Sequence, residues 1–167
     1  MRTSIVLIGM PGAGKSTVGV LVAKFAALDF VDTDVLIQVR TGETLQRTLD
    51  RHGYQALRRI EETIILELGQ DRCTVATGGS AVYSPAAMAH LRDLGRIVFL
   101  DVPLQALEHR VRDFAERGIA GPPGQTLAGV YAERTPLYRQ YAEVTVACGD
   151  LDAETIARQV ATLRPVP

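Results

Sequence analysis

The stretch that most constrains this chain is GMPGAGKST, residues 9–17, which follows the apolar run SIVLI directly. It fits G-x-x-x-x-G-K-[ST] through Gly9, Gly14, Lys15 and Ser16, and between a strand and a helix that pattern specifies a phosphate cradle. Glycines let successive backbone N–H groups turn inward around a phosphate, and the following helix adds the positive end of its dipole. Lys15 brings a point charge to the β- and γ-phosphates, and the Ser16 hydroxyl is a ligand for Mg²⁺. Gly12, Ala13, Gly14, Lys15, Ser16 and Thr17 are therefore the expected ATP-binding residues of the loop. The loop says where a triphosphate sits and leaves open what is done with it.

Four more apolar runs rich in β-branched residues follow the first: DFVDTD (29–34), CTVATGG (73–79), RIVFLDV (96–102) and EVTVAC (143–148). Short, nearly continuous runs of this kind suit strands buried on both faces of a parallel sheet. Helical stripes lie between them. Val18, Leu21, Val22 and Phe25 form one, and Leu45, Leu49, Leu57, Ile60, Ile64 and Leu68 form another, interrupted at Gly53. Leu91 with Leu94, Leu104 with Leu107 and Val111, and the segment Thr155 to Leu163 mark further helices. The alternation predicts a doubly wound α/β fold, a five-stranded parallel sheet between two helical layers, joined by right-handed crossovers. No repeat or linker divides the 167 residues, so a single domain over 1–167 is expected.

Composition narrows the function by exclusion. With 47% hydrophobic and 22% charged residues the chain is expected to be globular, and a net charge of −1 argues against general affinity for nucleic acid or membrane. No apolar run nears the roughly 20 residues that a membrane helix needs, and SIVLI is too short for a signal peptide. Cys73 and Cys148 are far apart, as reduced core thiols are, and His52, His90 and His109 are scattered. A cytoplasmic location is the expectation. The chain has no asparagine, so the N-K-x-D motif that reads guanine is missing.

The second apolar run carries Asp32 and Asp34, two apart and hence on one side of an extended strand. At the carboxyl end of a parallel sheet they would face the ligand crevice. One carboxylate would hold Mg²⁺ through water and the other would accept a proton from an attacking hydroxyl.

At this point the sequence resembles the shikimate kinases. The phosphate loop, DTD at 32–34, LRRIEE at 57–62, GGSAV at 78–82 and ERTPLY at 133–138 follow that family's order and spacing over nearly the whole chain. The resemblance implies a P-loop kinase fold, ATP with Mg²⁺, a monomer, and transfer of the γ-phosphoryl group to a hydroxyl of shikimate, a small carboxylated ring, giving 3-phosphoshikimate and ADP. It further implies a substrate-binding helical segment at 33–62 and a lid at 112–126. By the same resemblance Asp34 holds the acceptor hydroxyls, and Ser16 and Asp32 organise Mg²⁺. Arg58 and Arg134 grip the substrate carboxylate, and Gly78 and Gly79 bring backbone N–H groups against it. Arg110 and Arg117 lie on the nucleotide side, with Arg117 crossing toward the transferring phosphate, so that Lys15, Asp34 and Arg117 form the catalytic set.

Each assignment has a plainer counterpart. Arg58 stands three before Glu61 and four before Glu62, the spacing of an exposed helical ion pair. Arg134 suits a solvated residue before a turn at Pro136, Arg110 an ordinary charged helix face, and the paired glycines a tight turn. Three features also depart from the family. Ser80 replaces the third glycine of its triplet, Leu49 and Leu57 stand where aromatic contacts are usual, and Arg117 is followed by GIAGPPG. Those departures keep open a kinase of another hydroxylated acid, such as a sugar acid, and a non-catalytic ATP-binding regulator is a more distant alternative. The Gly- and Pro-rich stretch after Arg117 is longer than most helix connections and is expected to act as a lid that excludes water.

Overall fold

The computed structural model describes residues 2–69, 71–110 and 119–163. Five parallel strands form one sheet in the order β2-β3-β1-β4-β5: β1 Ser4–Ile8, β2 Asp29–Asp32, β3 Cys73–Ala76, β4 Gly95–Asp101 and β5 Val144–Ala147. β1 lies at the centre, with Leu7 level with Ala76 of β3 on one side and with Val98 of β4 on the other. Every residue of β1 and β3 is buried, as expected for strands covered on both faces. β2 and β5 depart from that expectation and are partly exposed, because an edge strand has a neighbour on one side only.

The helices are α1 Lys15–Ala26, α2 Thr33–Thr41, α3 Leu45–Leu66, α4 Pro85–Leu94, α5 Leu104–Arg110, α6 Leu127–Tyr141 and α7 Ala153–Ala161. α1 packs on α7 and β3, while α3 packs on α4 and α2. α3 breaks at Gly53, whose φ of 77° and ψ of 166° interrupt the helix where the apolar stripe is interrupted. Pro136 does not start a turn. It lies inside α6, so Arg134 belongs to a continuous helix and is buried rather than solvated. No helix among the described residues is long and apolar enough to cross a membrane.

Two hydrophobic clusters result. The larger joins the central strands to α1, α4 and α7. A smaller one, built from Ile37, Leu57, Ile64 and Ala120, ties α2 and α3 to the chain just ahead of α6. The smaller cluster forms the side of the crevice that opens at the carboxyl ends of β1 and β3.

Candidate active site

Between β1 and α1 the chain turns through Gly12 and Gly14, with φ of 81° and 87°, a left-handed region that strains residues bearing a Cβ. Gly14 is the N-cap of α1 and no side chain caps that helix, which leaves its first N–H groups for an anion. Lys15 is 8% exposed and donates from Nζ to the carbonyls of Gly9 (2.7 Å) and Met10 (2.9 Å). Burial lowers its pKa to about 8. Arg134 acts in the same direction, while Asp34, Glu61 and Asp32 pull it back up.

The loop lines a cavity of about 470 Å³ that also reaches Asp34, Glu61, Gly78, Arg110 and Arg134. The two aspartates do not share a strand. β2 ends at Asp32, which caps α2 by accepting from the N–H groups of Asp34 (2.9 Å) and Val35 (3.4 Å). Asp34 stands in the first helical turn, so capping rather than strand alternation sets the geometry of the pair. Burial raises the pKa of Asp34, Lys15 opposes the rise and Asp32 adds to it. Thr33 between them is fully buried, and its Oγ1 accepts the Gly78 N–H at 2.9 Å. The expectation that this N–H faces a substrate carboxylate is therefore not met here. Gly78 matters instead for what it lacks, since a Cβ would lie 2.2 Å from Glu61 Oε1 and 2.7 Å from Asp34 Oδ1.

Across the cavity stands Arg134, and Arg58 lies next to it, outside the cavity lining. Arg134 is 1% exposed, and its Nη2 donates to the Ala120 carbonyl at 2.8 Å. Arg58 donates to the same oxygen from Nε (3.2 Å) and Nη2 (2.9 Å). The helical ion pair that its spacing allowed does not form. Among the described residues no carboxylate lies within ion-pair distance of either guanidinium. Gly79 lines the cavity between Arg134 and the phosphate loop: a Cβ there would sit 2.8 Å from Arg134 Nη1 and 3.1 Å from Pro11.

Glu61 escaped the sequence reading as a site residue. It is buried on α3, accepts from the Ser80 hydroxyl through Oε2, and has an Oε1 without a hydrogen-bond partner. Burial first, and Asp34 besides, push its pKa up to about 7 against Ser80, Arg134 and Lys15. The signal was its place on an apolar stripe, four after Leu57 and three before Ile64. The same bond explains Ser80, whose side chain turns to Glu61.

Leu57 is in the cavity wall with Ile37 and Leu45, whereas Leu49 borders a separate pocket beside Gly121, Pro122 and Pro123. Of the expected lid at 112–126, residues 112–118, Arg117 among them, lie outside the described residues. Ile119 and Ala120 line the main cavity, and the segment ends where Thr126 caps α6. Arg110, at the end of α5, is among the residues lining the cavity and donates to the Gly149 carbonyl at 3.4 Å. Ser16 lines the cavity while Asp32 lies outside its lining; both offer hard oxygen donors, and the capping bonds orient the Asp32 carboxylate. Mg²⁺ in phosphoryl-transfer sites takes one or two carboxylates plus substrate phosphates and water, so this donor set fits it.

A phosphate loop on one wall and a buried arginine without a carboxylate partner among the described residues on the other suit a small-molecule kinase of the P-loop class. Comparison with known proteins gives the particular family. The sequence model of the shikimate kinase family matches residues 11–164. Shikimate kinase of Halorhodospira halophila is 38% identical over 159 residues, covering 93% of this chain and 90% of that protein. That of Thiobacillus denitrificans is 39% identical over 148 residues, covering 87% and 81%. The solved structure of Acinetobacter baumannii shikimate kinase in complex with shikimate superposes with a TM-score of 0.89 at 28% identity, covering 98% of this chain and 93% of that one. The chain belongs to the shikimate kinase family.

Proposed function

We infer that this chain transfers the γ-phosphoryl group of ATP to a hydroxyl of shikimate, releasing ADP and the 3-phosphate ester. The observation that carries the acceptor assignment is the convergence of Arg58 and Arg134 on a single neutral carbonyl, with no carboxylate of the described chain paired to either. A substrate carboxylate would take the place of the Ala120 oxygen and accept in parallel from both forks, a geometry that lysine cannot supply. The ring would then lie against Ile37 and Leu57, with its hydroxyls toward Asp34.

From that position the chemistry follows from charge and distance. Lys15 exchanges the carbonyls of Gly9 and Met10 for phosphate oxygens as the triphosphate enters the loop. Asp34, whose basicity is raised by burial, orients the attacking hydroxyl and receives its proton on a carboxylate oxygen. Ser16 and Asp32 would hold Mg²⁺, which supplies neutralisation of the β- and γ-phosphate charge when bound. Arg110 supports the nucleotide, and Arg117 is assigned to the transferring phosphate by its place in the family pattern. With so little covalent work for the protein, positioning and electrostatic stabilisation account for the rate. Since one chain supplies every named group, a monomer is the working unit, and the cytoplasm, where ATP is held, is its compartment.

ADP release by the purified protein with ATP and Mg²⁺ tests the reading, comparing shikimate with a panel of hydroxylated acids, sugar acids included. Stimulation by shikimate well above every other acid is expected. Turnover on another acid with none on shikimate would overturn the acceptor assignment and leave the kinase class intact.

A further inference from the structure

Tyr83 lies at the end of a short 3-10 turn, Ala81–Tyr83, and the resemblance gives it no role. It touches both arginines in different ways. The Arg58 guanidinium carbon stands 3.7 Å from the centre of the Tyr83 ring, closer than its 5.0 Å to the ring of Tyr54. Arg134 lies 5.2 Å from the same ring centre, and its Nε donates to the Tyr83 hydroxyl at 3.3 Å. The hydroxyl in turn donates to Glu133 Oε1, and Glu133 Oε2 accepts from Gln125 Nε2 at 2.7 Å. Gln125 belongs to the segment that also carries Ala120, the residue whose carbonyl both arginines hold.

We propose that Tyr83 is the positioning residue of the acceptor site: its ring and its hydroxyl fix Arg58 and Arg134 in the orientation that receives the shikimate carboxylate, and link that pair to segment 119–126. The inference rests on the reading that these arginines bind the carboxylate. Guanidinium forks are directional, so their affinity for a carboxylate depends on both being held in plane with it. Arg58 sits on a half-buried helix face and has two long-range anchors, the Ala120 carbonyl and this aromatic face. When the carboxylate displaces the carbonyl, the ring remains. Arg134 has its Nε fixed by the phenol, which leaves its outer nitrogens for the ligand. The phenol accepts from Arg134 and donates to Glu133, so its proton has one defined direction. Phenylalanine keeps the ring and breaks that chain, whereas leucine removes both contacts.

The test is steady-state kinetics and calorimetric shikimate binding for Tyr83→Phe, Tyr83→Leu, Arg58→Ala, Arg134→Lys and the double variant Tyr83→Phe/Arg134→Lys, with thermal melts as a folding control. For Tyr83→Phe, KM and Kd for shikimate should rise about 3- to 10-fold, the scale of one hydrogen bond to a charged group. For Tyr83→Leu the rise should be about 10- to 100-fold, as the aromatic contact is lost as well. In both, KM for ATP should stay within about 2-fold, and Tyr83→Phe should add little on top of Arg134→Lys, since the two act through one contact. A purely structural tyrosine would lower the melting temperature and active fraction while leaving shikimate affinity unchanged, which would overturn the proposal. If the arginine variants weaken shikimate binding and folded Tyr83→Phe does not, the positioning role is refuted and carboxylate binding stands. If the arginine variants themselves leave shikimate affinity unchanged, the reading beneath it fails.

Discussion

Replacing Glu61 by glutamine removes a charge from the acceptor cavity while keeping the size of the side chain and an oxygen for the Ser80 hydroxyl. Glu61 is 3% exposed, and burial leads the causes that raise its pKa from 4.5 to about 7. A rise of that size means that ionising Glu61 costs about 3 kcal/mol more in the folded chain than in the unfolded one. Because the folded value is the higher, the folded chain binds more protons between the two values. The contribution of Glu61 to stability is thus full below its unfolded pKa of 4.5 and is lost as pH rises through about 7. Glutamine does not titrate. Between about pH 5 and about pH 8 the wild type should therefore lose roughly 2–3 kcal/mol relative to Glu61→Gln, other titrations cancelling in the difference. For a domain of this size that is roughly 5–10 °C in Tm.

Thermal unfolding of both proteins across that pH range, followed by circular dichroism without nucleotide or acceptor, reads the difference directly. The two Tm curves should approach or cross toward acid pH and diverge toward alkaline pH, with the variant the more stable there. Parallel curves would refute the reasoning, because a buried carboxyl with one unpartnered oxygen would then bear no ionisation penalty.

Lys15→Ala should leave the fold intact and lower kcat at least about 100-fold in an ADP-release assay, the scale seen for one lost transition-state donor. Near-normal turnover would remove Lys15 from the mechanism. Gly78→Ala should lower both Tm and activity, since the added Cβ meets Glu61 at 2.2 Å and Asp34 at 2.7 Å, and unchanged shikimate kinetics would show that the crowding is relieved elsewhere. Ser80→Gly should keep kcat within about 10-fold, because the hydroxyl is directed at Glu61 and a single neutral hydrogen bond is at stake. A complete loss of activity would mean that the serine contacts the acceptor.

The phosphate loop was legible in the sequence because its chemistry leaves little choice of residue: glycines at Gly12 and Gly14, one lysine and one hydroxyl next to a strand. The central strands were legible for the same kind of reason, since burial on both faces demands continuous apolar runs, whereas the partly exposed edge strands β2 and β5 showed through their β-branched residues. What misled was local backbone chemistry. Asp32 and Asp34 looked like a strand pair, but the chain enters α2 between them, and Asp32 is spent in part on capping. Pro136 looked like a turn and is accommodated inside α6. Tyr83 and Thr33 were invisible because their partners, Arg58, Arg134 and Gly78, are 25 to 51 residues away, and no spacing rule reaches that far. Glu61 was the one site residue with a local sign that went unused, a carboxylate on an apolar stripe.

The cavity is lined by Lys15, Arg110 and Arg134 with Asp34 and Glu61, and Arg58 adjoins it at the Ala120 carbonyl; among the described residues Lys15, Arg58 and Arg134 form no ion pair with a carboxylate. Lys15 is held by carbonyls and both arginines share one carbonyl, while Asp34 and Glu61 converge on Gly78 without an ion pair of their own. Burial of unpaired charges is costly and shifts pKa values toward the neutral forms, as the lowered Lys15 and the raised Asp34 and Glu61 record. On the proposed function two anions would relieve this arrangement, a triphosphate at Lys15 and a carboxylate at the arginines. A triphosphate alone would leave the arginine wall unmatched, and a carboxylate alone would leave the loop unmatched. On that reading the charge balance of the site favours simultaneous occupancy by the two anions. Asp34 lines the same cavity, and the burial that raises its pKa makes it a stronger base toward an acceptor hydroxyl than an exposed aspartate would be.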